Sequence, residues 1–396
     1  MSKLLLLLLS IFYFSLSYSS ELSLNNETSD VKVAAAAFAS FFSCEGKAFA
    51  CGDGQSNLGL YKDFTDKYNA TQIRILGKLN ITNIFVSDIG RFAIDNSGKV
   101  YAWGSNHKGQ LGLGDFDDRQ YPNMVNSLSP ESISLIACGL YHTLALNTQG
   151  KIFASGYLPL AGENAFELVE SEIQNKTIIQ VSSGDYFSLA LDNQGDVYAW
   201  GRNSYGDLGL GDYDMRFKPA LIKGLEGKKI IKISSNGYHS LVLDNSGNVY
   251  SWGLNADGQL GLGDYKDRLV PNPIASLKSI KIVEIFAGGG MSFAIDSDGK
   301  LYEWGLVPHK GIETKNIPSL NKDLEDKRIV RVSSENTGVF AVDEQGNIYA
   351  WGENQHGRLG LGDAQDRKSP TAIKAFCSHN STSNYAASPH NAYDGF

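Results

Sequence analysis

All five tryptophans of this 396-residue chain sit in one context. That context is Tyr-x-Trp-Gly, with Tyr101, Tyr198, Tyr250, Tyr302 and Tyr349 leading to Trp103, Trp200, Trp252, Trp304 and Trp351. A glycine follows each indole: Gly104, Gly201, Gly253, Gly305 and Gly352. Two further copies lack the Trp, Phe49-Ala50-Cys51-Gly52 and Phe153-Ala154-Ser155-Gly156. The seven anchors, 51, 103, 155, 200, 252, 304 and 351, are spaced by 52, 52, 45, 52, 52 and 47 residues. A fixed period of about 50 residues marks a chain of repeated supersecondary units.

Each full unit follows one grammar. An alternating strand such as Ser240-Leu-Val-Leu-Asp244 runs into the turn Asp244-Asn245-Ser246-Gly247. There Asp and Asn bond locally and Gly accepts positive φ. A second strand, Asn248-Val-Tyr-Ser-Trp-Gly253, completes a hairpin. A glycine loop then runs out to Asp264 and Arg268, and Pro271 opens an outer stretch that returns through Lys281-Ile-Val-Glu-Ile-Phe-Ala287. Short strands without a helical period, closed by repetition, predict an all-β, seven-bladed propeller over residues 31–376. Val33 to Phe42 matches the segment before a hairpin, and Pro370 to Phe376 matches the outer segment. The two ends together therefore make one unit, which would join the N- and C-terminal segments, close the ring and seal its sheet edges.

The loop Gly109-Gln-Leu-Gly-Leu-Gly-Asp115 recurs letter for letter at 258–264, with near copies at 206–212 and 357–363. Its spacing fits neither the dinucleotide fingerprint nor the P-loop, and no helical pattern follows to supply an anion site. A structural role needs only that Gly109, Gly112 and Gly114 take angles denied to other residues, with Leu111 and Leu113 packed inward. A loop repeated in unit after unit reads as scaffold.

The remaining chemical candidates resolve the same way. His142 and His239 hold one repeat position, filled by Phe187 and Met291 in sister units, so they read as hydrogen-bonded core. The acidic run at Asp296 lacks the closing Glu of a calcium loop and reads as a hairpin turn. Asp118-Arg119, Asp267-Arg268 and Asp366-Arg367 read as loop braces. No nucleophile elbow, metalloprotease motif or Cys/His metal spacing occurs. The expectation is a non-enzyme without cofactor or metal.

Lys3, the apolar run Leu4–Leu16 and Ser17-Tyr18-Ser19 form a secretory leader over 1–19, too short to span a membrane. Residues 20–30 read as a linker, and the polar stretch 377–396 as a disordered tail. The chain is thus expected to be secreted, with no membrane span. Sequons stand at Asn26, Asn69, Asn80, Asn175 and Asn380, which makes it a candidate glycoprotein. Of the four cysteines, small buried residues are one reading and a Cys51–Cys377 bridge is the other. The net charge of −8 and the lack of a basic run argue against nucleic acid as a partner.

The unit D-x-x-G-x-V-Y-x-W-G-x-N-x-x-G-Q-L-G-L-G-D-x-x-x-R-x-x-P, as in Asp244 to Pro271, closely resembles the repeat of the regulator of chromosome condensation family. The resemblance covers about Val31 to Phe376 and implies a seven-bladed propeller. The family's founding member exchanges guanine nucleotide on a small GTPase and binds chromatin, and a secreted bacterial relative inhibits β-lactamase. This chain departs from the nuclear member in its leader, its lack of a basic N-terminal tail and its lack of an inserted exchange wedge. No exchange residue carries over.

The third and sixth units break the pattern, losing the glycine loop after Gly156 and Gly305. Loops that vary on a rigid frame often carry recognition. Phe116, Tyr213 and Tyr265, each two residues past its loop's last Gly, are candidate partner contacts. The reading is a non-catalytic, secreted, protein-binding propeller. The alternatives are an exchange factor for a small GTPase and a secreted inhibitor of an enzyme.

Overall fold

A computed structural model describes residues 31–374, except 158–162, 309–312 and 336–337. The expected leader, linker and tail, with Asn26, Asn380 and Cys377, lie outside the described residues. The chain forms seven sheets, each of four antiparallel strands. Blades 1 to 7 cover residues 32–72, 81–124, 133–168, 178–221, 230–273, 282–320 and 329–372. In blade 5 the strands are Ile230–Asn236, His239–Asp244, Val249–Gly253 and Arg268–Pro273. Among the described residues helical structure is limited to short 3-10 turns such as Lys223–Leu225, and no helix there is long and apolar enough to cross a membrane.

Strand alternation explains the core. Successive side chains of a strand point to opposite faces, and in a ring both faces meet a neighbouring blade. His239–Asp244 is accordingly buried along its whole length. Val242 and Trp252 pack with Phe187, Leu189 and Leu191 of blade 4, while Leu241 and Leu243 pack with Ala294 and Trp304 of blade 6. The described core resolves into seven such clusters, one for every seam of the ring.

The ring closes between blades 7 and 1, so the terminal segments do meet, but no blade is shared. Lys32–Ala35 and Arg367–Ala372 belong to separate sheets. The sequence repeat has no intrinsic starting point, and the blade boundary falls one strand earlier than the hairpin-first reading placed it. Closure is a seventh seam of the ordinary kind. Phe42 meets Phe340 edge-on with ring centroids 5.8 Å apart. The Ala35 amide donates to Ser333 Oγ at 3.0 Å, and Gly362 N donates to Tyr68 O at 2.8 Å.

The Cys51–Cys377 bridge is not formed. Cys51 occupies a tryptophan's place inside the closing seam, fully buried and free, its Sγ donating to Arg358 O at 3.3 Å. Cys44 is the disulfide-bonded cysteine, and Cys138 is free.

Candidate functional site: the glycine-loop face

The glycine loop does more than turn a corner, because it also docks on the next blade. Trp103 Nε1 donates to Asn57 O at 3.0 Å, Trp252 to Asp207 O at 2.8 Å and Trp304 to Gln259 O at 2.8 Å. Each bond runs from one blade's third strand to the preceding blade's loop. Where the indole is lost, a smaller donor takes over: Ser155 Oγ donates to Gly109 O at 2.7 Å, and Phe166 fills the vacated volume. A Cβ at Gly112, whose φ is +66°, would lie 2.3 Å from the Phe166 ring, so both the backbone angle and the space demand glycine. The loop lost from unit 3 leaves a trace. Trp200 follows that unit, and its buried Nε1 has no hydrogen-bond partner.

The loop is braced as expected. Asn106 accepts from Leu111 N at 2.9 Å and donates to Asp115 O at 2.9 Å, while Asp118 accepts from Asn106 N at 2.6 Å. Arg268 pairs with Asp264 at 2.7 Å and Arg367 with Asp363 at 2.8 Å. His142 and His239 are buried between blades, bonded through Nε2 to Ser188 Oγ at 3.0 Å and Ser292 Oγ at 2.9 Å. Burial pushes their imidazoles down to about 3 and about 4. Neutral, enclosed and away from any opening, they are core residues. Asp53, Asp66 and His356, at the closing seam, place ligand-type atoms within 4.8 Å of one another. Their geometry is accounted for by hydrogen bonds: His356 Nδ1 lies 2.9 Å from Asp66 Oδ2, and Asp53 accepts from Gln55 N at 2.8 Å and Ser56 Oγ at 2.8 Å.

In an up-and-down blade the turn after the first strand lies at the same end as the glycine loop. Here the turns of blades 3, 4 and 5 follow one another along the inner rim of the ring. They are bonded blade to blade, with Leu140 N donating to Asp185 O at 3.0 Å and Asp185 N to Gly237 O at 2.9 Å. Each of these three turns then presents one tyrosine outward, held by its own carbonyl. Tyr157 N donates to Tyr141 O at 2.7 Å, Arg202 N to Tyr186 O at 2.9 Å and Leu254 N to Tyr238 O at 3.0 Å.

The consequence is a continuous aromatic arc across blades 2 to 5. Ring centroids are 5.4 Å apart for His107–Tyr141, 5.8 Å for Tyr141–Tyr186, 6.3 Å for Tyr186–Tyr238 and 5.2 Å for Tyr238–Tyr205. The Arg202 guanidinium lies 4.5 Å from the Tyr186 ring centre. Inside the arc a recess of about 30 Å³ is lined by Asp88, Cys138, Asp185, Asn236 and Glu335 among others. Asn236 bridges to Glu335 at 2.8 Å. Burial, reinforced by Asp88, pushes Asp185 up to about 6, and burial also raises Asp88. Burial and the neighbouring Asp185 push the Tyr238 phenol up to about 12. Asp207, 1 % exposed, is pushed up to about 7 by burial.

The expected contacts Phe116, Tyr213 and Tyr265 are exposed by 49 %, 61 % and 50 %, but each stands on its own blade at the far end of a glycine loop. They ornament the rim of this face, outside the arc. The arc itself has a sequence signal, the Tyr immediately before His142, Phe187 and His239, outward wherever its neighbour is core. Asn80 and Asn175 are exposed on the connections to the next blade, at the opposite end of the ring, and Asn69 is exposed on an outer strand.

Comparison with known proteins gives a consistent result. A family model for the RCC1-like domain matches residues 20–316, and one for the regulator of chromosome condensation (RCC1) repeat matches 345–390. The chain is 32% identical over 337 residues to the ultraviolet-B receptor UVR8 of Arabidopsis thaliana, covering 82% of this chain and 76% of that one. Among solved structures it is similar to human WBSCR16, with TM-score 0.75 and 19% identity over 83% of this chain and 94% of that one. It is also similar to yeast RCC1 (Prp20) in its complex with Kap60, with TM-score 0.72 and 23% identity over 83% of each chain. At those identities the solved structures establish the fold alone.

Proposed function

The chain belongs to the RCC1-like propeller family, and from that premise we propose that it is a non-catalytic binding propeller that seats a protein partner on its glycine-loop face. The carrying observation is the aromatic arc Tyr141–Tyr186–Tyr238–Tyr205, half-exposed rings on backbone turns bonded from blade to blade. Rigid aromatic anchors near the centre of a face are the usual residence of binding energy. The His142–Ser188 and His239–Ser292 pairs are sealed inside the seams, and the partly exposed Ser105 Oγ, 2.9 Å from His107 Nδ1, donates to Asp118 rather than to the imidazole, which supports binding over turnover.

We propose further that the chain is exported. Residues 1–19 carry the charge, short apolar core and small-residue site of a leader. Glycans at Asn80 and Asn175 would cover the end of the ring opposite the arc, leaving the arc free.

The test is photo-crosslinking from residue 186, with residue 97 on the opposite end as the control. A protein trapped from 186 and not from 97 supports the reading, and equal trapping from both ends rejects it. Identification of the trapped species as a nucleotide-free GTPase would assign the exchange role. An enzyme whose activity falls on binding would assign inhibition.

A further inference from the structure

We propose that the partner presents an arginine side chain to this face, seated at the inner rim of the ring between the carboxylates of Asp88 and Asp185 and flanked by the rings of Tyr186 and Tyr238. The inference rests on the partner reading given above and names the chemistry that the same site would recognise.

Three observations converge on a planar cation. First, neither Asp88 nor Asp185 forms a direct ion pair with a cation of this chain among the described residues, although Arg91 acts on Asp88 through space. Arg91 is the buried guanidinium nearest to them, yet it donates to the main-chain oxygen of Asp88 at 3.2 Å. Asp88 Oδ1 is buried without a hydrogen-bond partner. Arg91 and the Ala37 amide offset part of the burial of Asp88, and the Tyr238 hydroxyl part of that of Asp185; the remainder is costly, and an arriving guanidinium would relieve it.

Second, Asp207 adds an acid under the arc that the loop fold does not require. Its sister positions are Gln110 and Gln259, whose side-chain oxygens accept from Lys108 N and Asp257 N at 2.9 Å each. Asp207 reproduces that bond through Oδ2, to Tyr205 N at 3.2 Å, and then keeps a second oxygen, Oδ1, buried with no partner. Asp207 is close enough to act on the Tyr238 phenol, as are Asp185 and Tyr205, whose ring lies 5.2 Å from that of Tyr238. The loop thus carries an ionisable carboxyl, which an arriving cation would hold in its charged form, where a neutral amide satisfies the scaffold.

Third, the arc already holds one guanidinium. Arg202 stacks on Tyr186, its Cζ 4.5 Å from the ring centre. Aromatic faces attract cations, and arginine, flat and weakly hydrated, combines that stacking with bidentate donation to carboxylate better than lysine does. The net charge of −8 adds a long-range attraction for a basic segment.

The experiment measures binding of a fluorescein-labelled peptide of alternating glycine and arginine to the full chain, with a glycine–glutamate peptide as the blank. Three double variants are compared with the parent: Asp88→Asn/Asp185→Asn, Tyr186→Ser/Tyr238→Ser and Asp117→Asn/Asp214→Asn. The last makes the same change in charge on the loop rims of the same face. The expected result is saturable, salt-sensitive binding that weakens about tenfold in the first two variants and is unchanged in the third. Equal weakening in both carboxylate variants, or parent-like binding by the tyrosine variant, would show diffuse attraction and overturn the proposal. Absence of peptide binding while residue 186 still crosslinks a protein would sink the arginine and leave the docking face standing. Loss of both would remove the face as well.

Discussion

The indole N–H of Trp252 donates to the main-chain oxygen of Asp207 across a blade seam, 2.8 Å away, while the equivalent N–H of Trp200 meets no acceptor. The two tryptophans share a repeat position and complete burial, and they differ in the loop that faces them. Trp252→Phe and Trp200→Phe remove similar volumes, so their difference isolates the bond. Trp252→Phe is expected to cost about 1 kcal/mol more, read from denaturant midpoints at constant slope. Equal costs would mean that the loop carbonyl finds water when the indole is gone.

The glycine loop offers a second internal comparison. Gly112 and Gly114 both have positive φ, but a Cβ on Gly112 runs into Phe166 at 2.3 Å, while one on Gly114 meets nothing within 4 Å. Gly114→Ala carries the left-handed penalty alone, about 1 kcal/mol. Gly112→Ala adds overpacking of roughly 1–3 kcal/mol. Thermal unfolding should order them parent, Gly114→Ala, Gly112→Ala.

Acid stability follows from four buried groups of opposite sign. His142 and His239, held down at about 3 and 4 against an ordinary 6.5, stay neutral in the fold while the unfolded chain protonates. Their stability contribution is whole above pH 6.5 and is lost as pH falls below it, by at most about 1.4 kcal/mol per pH unit for each. Asp207 and Asp185, raised to about 7 and 6 from 3.8, take up protons in the fold first and offset that loss over much of the same window. His142→Phe, borrowing the residue of sister position Phe187, is expected to lose less stability between pH 8 and pH 5 than the parent. Asp207→Gln, borrowing Gln110 and Gln259, is expected to be more stable than the parent at pH 8 and to decline more steeply toward pH 5. Urea melts at the two pH values check both, and parallel behaviour of all three proteins would refute the assignment.

One side chain spans the closing seam in addition to its apolar cluster. Arg358, 4 % exposed, reaches Ala37 O of blade 1 and pairs with Glu353 at 2.6 Å. Arg358→Gln keeps the loop's usual residue and loses the cross-seam contact, costing about 1.5–3 kcal/mol. Amide exchange should accelerate first in residues 35–52 and 353–362, ahead of the other seams. Uniform acceleration around the ring would show that the seams open together.

Much of this was legible before any coordinates. The seven anchors, the Asp-Asn-Ser-Gly hairpin turns, the acid–arginine braces and the core histidines each follow from local chemistry repeated at one spacing. Blade phase did not follow, because a periodic pattern reads the same from any starting strand. The reading of Cys51 as a small buried residue holds: it stands where five units put a tryptophan, and that position faces the neighbouring blade. The arc was hidden for a different reason. Tyr141, Tyr186 and Tyr238 are about 50 residues apart and become neighbours only when the ring brings successive turns side by side.

Because the described ring has no split blade, its closure is chemically the same event as any internal joint. Rejoining the old ends and cutting between blades 4 and 5 should therefore yield a circular permutant with the parental architecture. Growth or loss of a sector by duplication would likewise ask for no new closing device, only a change in curvature.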